Sequence, residues 1–433
     1  MSGKVSGTEP RGNSGGSPSC AAHIYGRCDG SPEEDRSLPL KYVTKFEYGD
    51  ALAQDVRGEG TTPVFGSNGV VGSHDVANTL APSIIIGRKG SFGKVTWADM
   101  PAFCIDTAYY IDKRHTKANL RWLYWMLQTL GLDMFSEDTG VPGLSREKAY
   151  RVHVPYPPLP EQTRIANFLD EQTARIDALI AEKERLRVLV EEQFKARLGT
   201  AVVEGLHRQR RLVPAIKKGF ESVREDWALI PIKHIATVGG GMTPSKEREE
   251  FWGGAVPWVS PKDMKRFVLH DSEDHITDEA VSSTSLRVHP VDSVLIVVRG
   301  MILAHTFPVA MNAVPVTINQ DMKALRANSR MSAEYLAWML RGLAPLMLSL
   351  TEESAHGTKA LRTEQWGNQA VPVPHEEEQA QLVAQFRNWE REAMELSTHL
   401  DEHILLLREY RSSLISAAVT GQLDIDNFGR EVA

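Results

Sequence analysis

Toward the end of the chain, Phe386, Ala393, Leu400, Leu407 and Leu414 recur every seven residues, interleaved with Leu382, Trp389, Leu396, His403, Tyr410 and Ala417. Two such rows (a and d) over about five heptads predict a long helix with a narrow seam. An earlier segment repeats the phase, with Leu169, Ile176, Lys183, Val190 and Arg197 in one row and Gln172, Leu179, Leu186 and Gln193 in the other. Gly205 and Gly421 stand where helices commonly close. Helices of about 40 residues reach on the order of 60 Å. A helix that long with so narrow a stripe needs another helix against it, and the nearest is its own copy. An intramolecular antiparallel coiled coil with globular units at opposite ends is expected.

The copying extends beyond the helices. Pro160-Glu161-Gln162 through Ala201–Leu206 returns, without a gap, as Glu377-Glu378-Gln379 through Ala418–Leu423, 217 positions on. Upstream the shift drifts: Leu123, Trp125, Met126 and Leu127 answer to Leu336, Trp338, Met339 and Leu340, 213 apart, and Arg88 answers to Arg299, 211 apart. The chain is two copies of one plan, in which the globular parts tolerate insertion and the helices do not.

Within the first copy, Thr62 to Gly72 reads as strand, turn, strand. Ile84-Ile85-Ile86 reads as a buried strand running into the basic turn Gly87-Arg88-Lys89-Gly90, and Asn119 to Leu130 as an amphipathic helix. The fold class is α+β: two mostly-β units joined by two long helices, with an internal pseudo-twofold repeat. The divisions are a disordered tail over 1–37, a first unit over 38–154, a central long helix over 155–206 and a basic linker over 207–224. A second unit follows over 225–371, a distal long helix over 372–424, and a tail over 425–433. The linker carries Arg208, Arg210, Arg211, Lys217, Lys218 and Arg224 against Glu221.

Composition narrows function mainly by exclusion. The 433 residues carry 49 Lys and Arg against 56 Asp and Glu, for a net charge of −7. An acidic total counts against a protein that grips DNA unaided. Three cysteines form neither a disulfide framework nor a metal cluster and suit a reducing cytoplasm. No apolar run is long enough to span a membrane. Gly93-Lys94 lacks the rest of a phosphate-binding loop, and Gly239-Gly240-Gly241-Met242-Thr243-Pro244 meets a proline where a dinucleotide fingerprint needs a helix. Tyr156-Pro157-Pro158-Leu159 has no polar residue to hold an exocyclic amine, so no methyltransferase motif is present. No catalytic residue or metal site is expected.

What remains are polar, Gly-flanked loops in both units. Gly66-Ser67-Asn68-Gly69 and Thr243-Pro244-Ser245-Lys246 can donate to phosphates or base edges, as can Gly87-Arg88-Lys89-Gly90-Ser91 and Val298-Arg299-Gly300. The alternative for each is a tight turn using glycine for positive φ. An Arg beside Gly at a strand end in both copies is the stronger hint, since Arg grips phosphate or guanine bidentately.

From about 38 to 424 the chain resembles the DNA-specificity subunit of type I restriction–modification systems. The resemblance rests on Pro158 through Asp170, on Phe65–Gly69, Ile86–Ser91 and Asp106–Tyr110, and on Gly241–Ser245, Val256–Met264 and Ile318–Asp321. It implies a non-catalytic subunit with two target-recognition domains, each reading half of a split double-stranded DNA site. It adds Lys262, Asn319 and Gln320 to the DNA-facing candidates. It implies two methyltransferase subunits and ATP-driven restriction subunits as partners, with S-adenosylmethionine, ATP and Mg on those partners and no cofactor on this chain. Glu161, Gln162, Ile165, Phe168, Leu169, Glu378, Gln379 and Leu382 are the expected subunit contacts. The second helix departs from the pattern with Pro374-His375-Glu376-Glu377-Glu378-Gln379, and the first 37 residues match nothing in it. The rival reading is a coiled-coil scaffold with two protein-binding units.

Overall fold

The computed structural model describes residues 37–429 except 59, 137–141, 207–210, 217–218 and 354–357. The expected N-terminal tail therefore lies outside the described residues, apart from Ser37. Two compact units emerge, one of residues up to Arg175 together with those from Glu409 onward, the other of Ile176–Arg408.

In the first unit the all-buried strand Ser83–Gly87 lies between Ala108–Ile111 and Val95–Ala98, with Glu47–Tyr48 beyond Ala108–Ile111, all antiparallel. A second sheet sets Thr62–Gly66 between Gly69–His74 and Phe103–Cys104. The helix Leu120–Gln128 turns Trp122, Leu123, Trp125, Met126 and Leu127 inward. In the second unit Val294–Val297 has the same fully buried character inside a five-stranded sheet, and Ala333–Gly342 is the counterpart helix. In each unit a short antiparallel pair joins an early strand to the strand before the long helix that follows: Ser37–Pro39 with His153–Pro155, and Ala228–Pro231 with Ala370–Val373.

The central helix spans Leu159–Glu204 and the distal helix Glu376–Val419. Positive-φ glycines follow both, Gly205 at 77° and Gly421 at 72°. Within the second unit the two helices run antiparallel, because partners descend on one as they ascend on the other. Arg408 reaches Glu184 at 2.9 Å, Arg187 reaches Asp401 at 2.7 Å, and Arg197 lies 4.3 Å over the Trp389 ring.

The seam differs from the expected one by a turn about each helix axis. The row Phe386, Ala393, Leu400, Leu407 and Leu414 does face inward, but its companion row is Glu390, Ser397, Ile404, Arg411 and Ala418. Leu396, His403 and Tyr410 are exposed instead. The central helix repeats the shift: Thr173, Ile180, Phe194 and Ala201 turn inward, while Leu179 and Leu186 stand out. Leu179, Leu186, Leu396 and Tyr410 keep 44–49% of their surface open.

The segment expected to be a solvated linker is structured where it is described. Leu212–Ala215 and Phe220–Arg224 form a hairpin whose Phe220 and Val223 enter the second unit's core. Arg224, 2% exposed, pairs with Asp226 at 2.5 Å and with Glu378. The Trp227 indole N–H donates to the same Glu378 carboxylate at 2.8 Å.

Each long helix is fastened by a buried glutamine. Gln162 Oε1 accepts from the Asn119 backbone N–H at 2.8 Å, and its Nε2 donates to the Pro157 carbonyl at 2.8 Å. Gln379 Oε1 accepts from the Ser332 N–H at 2.8 Å, and its Nε2 donates to the carbonyls of Pro374 at 2.9 Å and Arg330 at 3.0 Å. Asn119 and Ser332 are the N-caps of the two counterpart helices. Beside each lock lies an ion pair of opposite sense. Arg121 donates to Asp170 in the first copy, whereas Glu334 accepts from Arg387 in the second.

Two outcomes follow. Gln379→Leu leaves the buried Pro374 carbonyl and the partly buried Ser332 N–H and Arg330 carbonyl unpaired, and should lower the unfolding free energy of the second unit by about 2 kcal/mol in urea titrations. Reversing either charge, Glu334→Arg or Arg387→Glu, should cost on the order of 1 kcal/mol because the pair is partly solvated, and the double reversal should recover most of it.

Candidate nucleic-acid interface

In the first unit the turn Ser67–Asn68 joins the strands Thr62–Gly66 and Gly69–His74. The buried strand Ser83–Gly87 runs out beside it into the basic loop. The two meet at Gly87, where a Cβ would stand 2.3 Å from the Ser91 carbonyl oxygen and 2.7 Å from that of Ser67. Only glycine permits that approach. Lys94 then ties the turn down, donating from Nζ to the Asn68 carbonyl at 2.8 Å and to Asn68 Oδ1 at 3.0 Å. Gly66, Ser67, Asn68, Arg88, Lys89 and Ser91 thus belong to one cluster. Gly66 is buried and contributes backbone, whereas Asn68, Lys89 and Ser91 are exposed.

Arg88 is tethered, with Nη1 donating to the Asp106 carbonyl at 3.0 Å and its guanidinium 4.9 Å over the Tyr48 ring. Arg146 lies over the same ring at 4.8 Å. Burial, with a hydrogen bond to Tyr48, pushes the Tyr109 phenol up to about 12, so that ring stays neutral beside the two cations. Among the described residues none of Arg88, Lys89, Lys94 and Arg146 makes an ion pair, and the cluster is strongly positive. Tyr48, Lys94 and Arg146 were not sequence candidates as DNA-facing residues. Nothing in their spacing marks them, because strand pairing brings residues 48 and 88 together and the start of the helix Arg146–Arg151 brings residue 146 to them.

In the second unit Gly241 crosses the Ile318–Asn319 backbone, where a Cβ would come within 2.2 Å of two carbonyl oxygens. Thr243 Oγ1 donates to Gln320 Oε1, and the N–H groups of Val298 and Arg299 donate to the Asp321 carbonyl at 2.8 and 3.2 Å. Thr243, Gln320 and Arg299 are therefore gathered around one corner. The Arg299 side chain is exposed and without a partner among the described residues. Ser245 and Lys246 are exposed on a loop that continues into Glu247, Glu249 and Glu250. Two candidates are otherwise engaged. Asn319 is buried and accepts from the Asp321 N–H at 3.1 Å, which makes it a turn former. Lys262 is drawn to Asp274 at 2.9 Å and Glu273 at 3.4 Å.

The expected subunit contacts divide in the same way. Gln162, Ile165, Leu169, Gln379 and Leu382 are buried within their own units and cannot present free surface. Glu378 is held by Arg224 and Trp227, and Phe168 packs edge-to-face on Phe428 at 5.0 Å. Glu161 stays half-buried with its carboxylate unpaired among the described residues.

A family model of the type I restriction modification DNA specificity domain matches residues 38–187 and again 224–406. The chain belongs to that family. Within it, the chain is 29% identical over 356 residues to the Escherichia coli "Type I restriction enzyme EcoR124I/EcoR124II specificity subunit", covering 80% of this chain and 81% of that one. It is 22% identical over 359 residues to the E. coli "Type I restriction enzyme EcoBI specificity subunit", covering 78% and 73%. A solved chain described under complex assembly and conformational transition of the type I R-M system shares the fold. Its TM-score is 0.63 at 16% identity, across 90% of this chain and 98% of that one. The specificity-domain matches fall on both copies of the repeat, and both loop clusters lie inside them.

One neighbour of the second cluster sets a pH limit. Gly239 lacks a side chain because the His289 imidazole fills its space, with Cε1 2.4 Å from where a Cβ would stand. Burial holds that imidazole below its ordinary 6.5, and Nε2 has no partner. The folded ring therefore stays neutral while the unfolded chain takes up a proton. The resulting stability is whole above pH 6.5 and falls as the pH drops below it. His289→Gln should flatten the pH dependence of the second unit's urea midpoint between about pH 7 and 5.

Proposed function

We propose that this chain is the DNA-reading subunit of a type I restriction–modification complex. The observation that carries this reading is the pairing of two loop clusters, one in each copy of the repeat, inside the two specificity-domain matches. Each cluster lies against one half of a split double-stranded site, with Ser67, Asn68 and Arg88 facing DNA in the first and Thr243, Arg299 and Gln320 in the second. The chain carries no catalysis of its own. Adenine methylation with S-adenosylmethionine, and restriction driven by ATP with Mg, belong to partner subunits in the cytoplasm.

Methyltransferase subunits, two per chain, dock on the helices. Support comes from the outward row of Leu179, Leu186 and Leu396, together with Leu405 and Leu406 at 59% exposure. Such a row in the middle of polar helices is what a partner helix covers. The acidic total of −7 is tolerable in such an assembly, because partners supply part of the positive groove.

Mapping methylated adenines in cells that carry this chain with its methyltransferase tests the reading. A two-part motif is expected, lost when the chain is deleted; methylation that persists in the same motif without the chain refutes it. The free Arg299 generates a sharper outcome. Arg299→Ala should weaken cognate binding by about 1 to 3 kcal/mol and relax one position of the motif only.

A further inference from the structure

We infer that Arg88 and Arg146, set over the ring of Tyr48, form a clamp for the DNA phosphate backbone, so that Arg88 grips the strand without reading a base. This rests on the DNA-reading function proposed above and assigns a division of labour within it.

Both guanidinium carbons lie within 5 Å of the Tyr48 ring centroid, so the two cations are within about 10 Å of one another. Each is tied to main chain: Arg88 to the Asp106 carbonyl at 3.0 Å, Arg146 to the Phe46 carbonyl at 3.4 Å. Those carbonyls stand just before the paired strands Glu47–Tyr48 and Ala108–Ile111, which fixes the pair before any ligand arrives. Among the described residues no carboxylate pairs with either. Two like charges held at that separation without a counter-charge favour an anion beside them. A base edge offers acceptors but no net charge, whereas a phosphodiester supplies the missing charge and accepts bidentately from Arg. Tyr48 remains 41% exposed and gives the strand a flat wall. Arg299, at the corresponding place in the second copy, differs: its side chain has no ring beneath it and no tether among the described residues. The two copies of one motif therefore use the same residue type for different tasks.

The test measures DNA binding by the full chain, assembled with its methyltransferase subunits, on cognate and scrambled duplexes between 50 and 200 mM salt. Removing one phosphate contact lowers the salt slope by about 0.9, so Arg146→Gln should lose about 3.5-fold less affinity than the parent across that range. The cognate-to-scrambled ratio and the methylation motif should stay as in the parent. Arg88→Gln should behave likewise, and Arg146→Lys, which keeps the charge, should restore the parental slope. A relaxed motif in Arg88→Gln would overturn the clamp by making Arg88 a base reader. An unchanged slope in Arg146→Gln, or a reduced slope persisting in Arg146→Lys, would overturn it by making Arg146 a packing residue. Should the parental complex fail to prefer cognate DNA at all, the proposed function falls and the clamp with it.

Discussion

A buried side-chain amide at the start of each long helix is the constraint on which much else depends. Gln162 and Gln379 each bridge three pieces of chain: the Pro-rich step before the helix, the helix itself, and the N-cap of the preceding amphipathic helix. An amide suits this place because it donates and accepts at once and carries no charge to desolvate. Its geometry sets where each long helix leaves its unit. That accounts for the absence of insertions between Gln162 and Leu206, or between Gln379 and Leu423: a shift there would misalign the helix against a fixed anchor. Loops farther from the anchor are free to lengthen, and the offset between copies drifts accordingly.

The flanking ion pairs show the two copies diverging around that anchor. Arg121 with Asp170, and Glu334 with Arg387, occupy corresponding places with the charges exchanged. A domain of one copy set on the helix of the other would bring Arg121 to Arg387, or Glu334 to Asp170, like charge against like. Each pair is worth little as stability, since both are partly solvated. Its value lies in discrimination, since repulsion in the wrong pairing separates two otherwise similar docking sites.

Much of the fold was legible in the sequence because burial leaves a period. The strands around Ile84–Ile86 and Leu295–Val297, the two amphipathic helices and the Phe386 row follow directly from apolar spacing. The companion row did not, for a physical reason. Glu390, Ser397 and Arg411 look like surface residues in a heptad count, yet Glu390 is paired with Arg341 at 2.5 Å and Arg411 lies 5.6 Å over Trp125. The globular parts provide partners for polar residues at the helix seam, and a pattern read from the helix alone cannot register them. The same blindness applies to the candidate site. Loops with glycine were visible, but Tyr48 reaches Arg88 only through strand pairing and Arg146 only through the placement of its helix, and Asn319 looked like a reader when its side chain closes a turn.

The two clusters differ in electrostatics more than in backbone. The first gathers Arg88, Lys89, Lys94 and Arg146, none of them in an ion pair among the described residues. The second sets a free Arg299 near Asp321, with Lys246 followed by Glu247, Glu249 and Glu250 and with Lys262 neutralised by Asp274. Positive charge raises affinity for any duplex, while an arginine without a side-chain partner gains most from a correct base edge. Under the proposed function, holding with one domain while selecting with the other would let an acidic chain examine many sequences, because the register is kept by phosphate contacts while base contacts are made and broken.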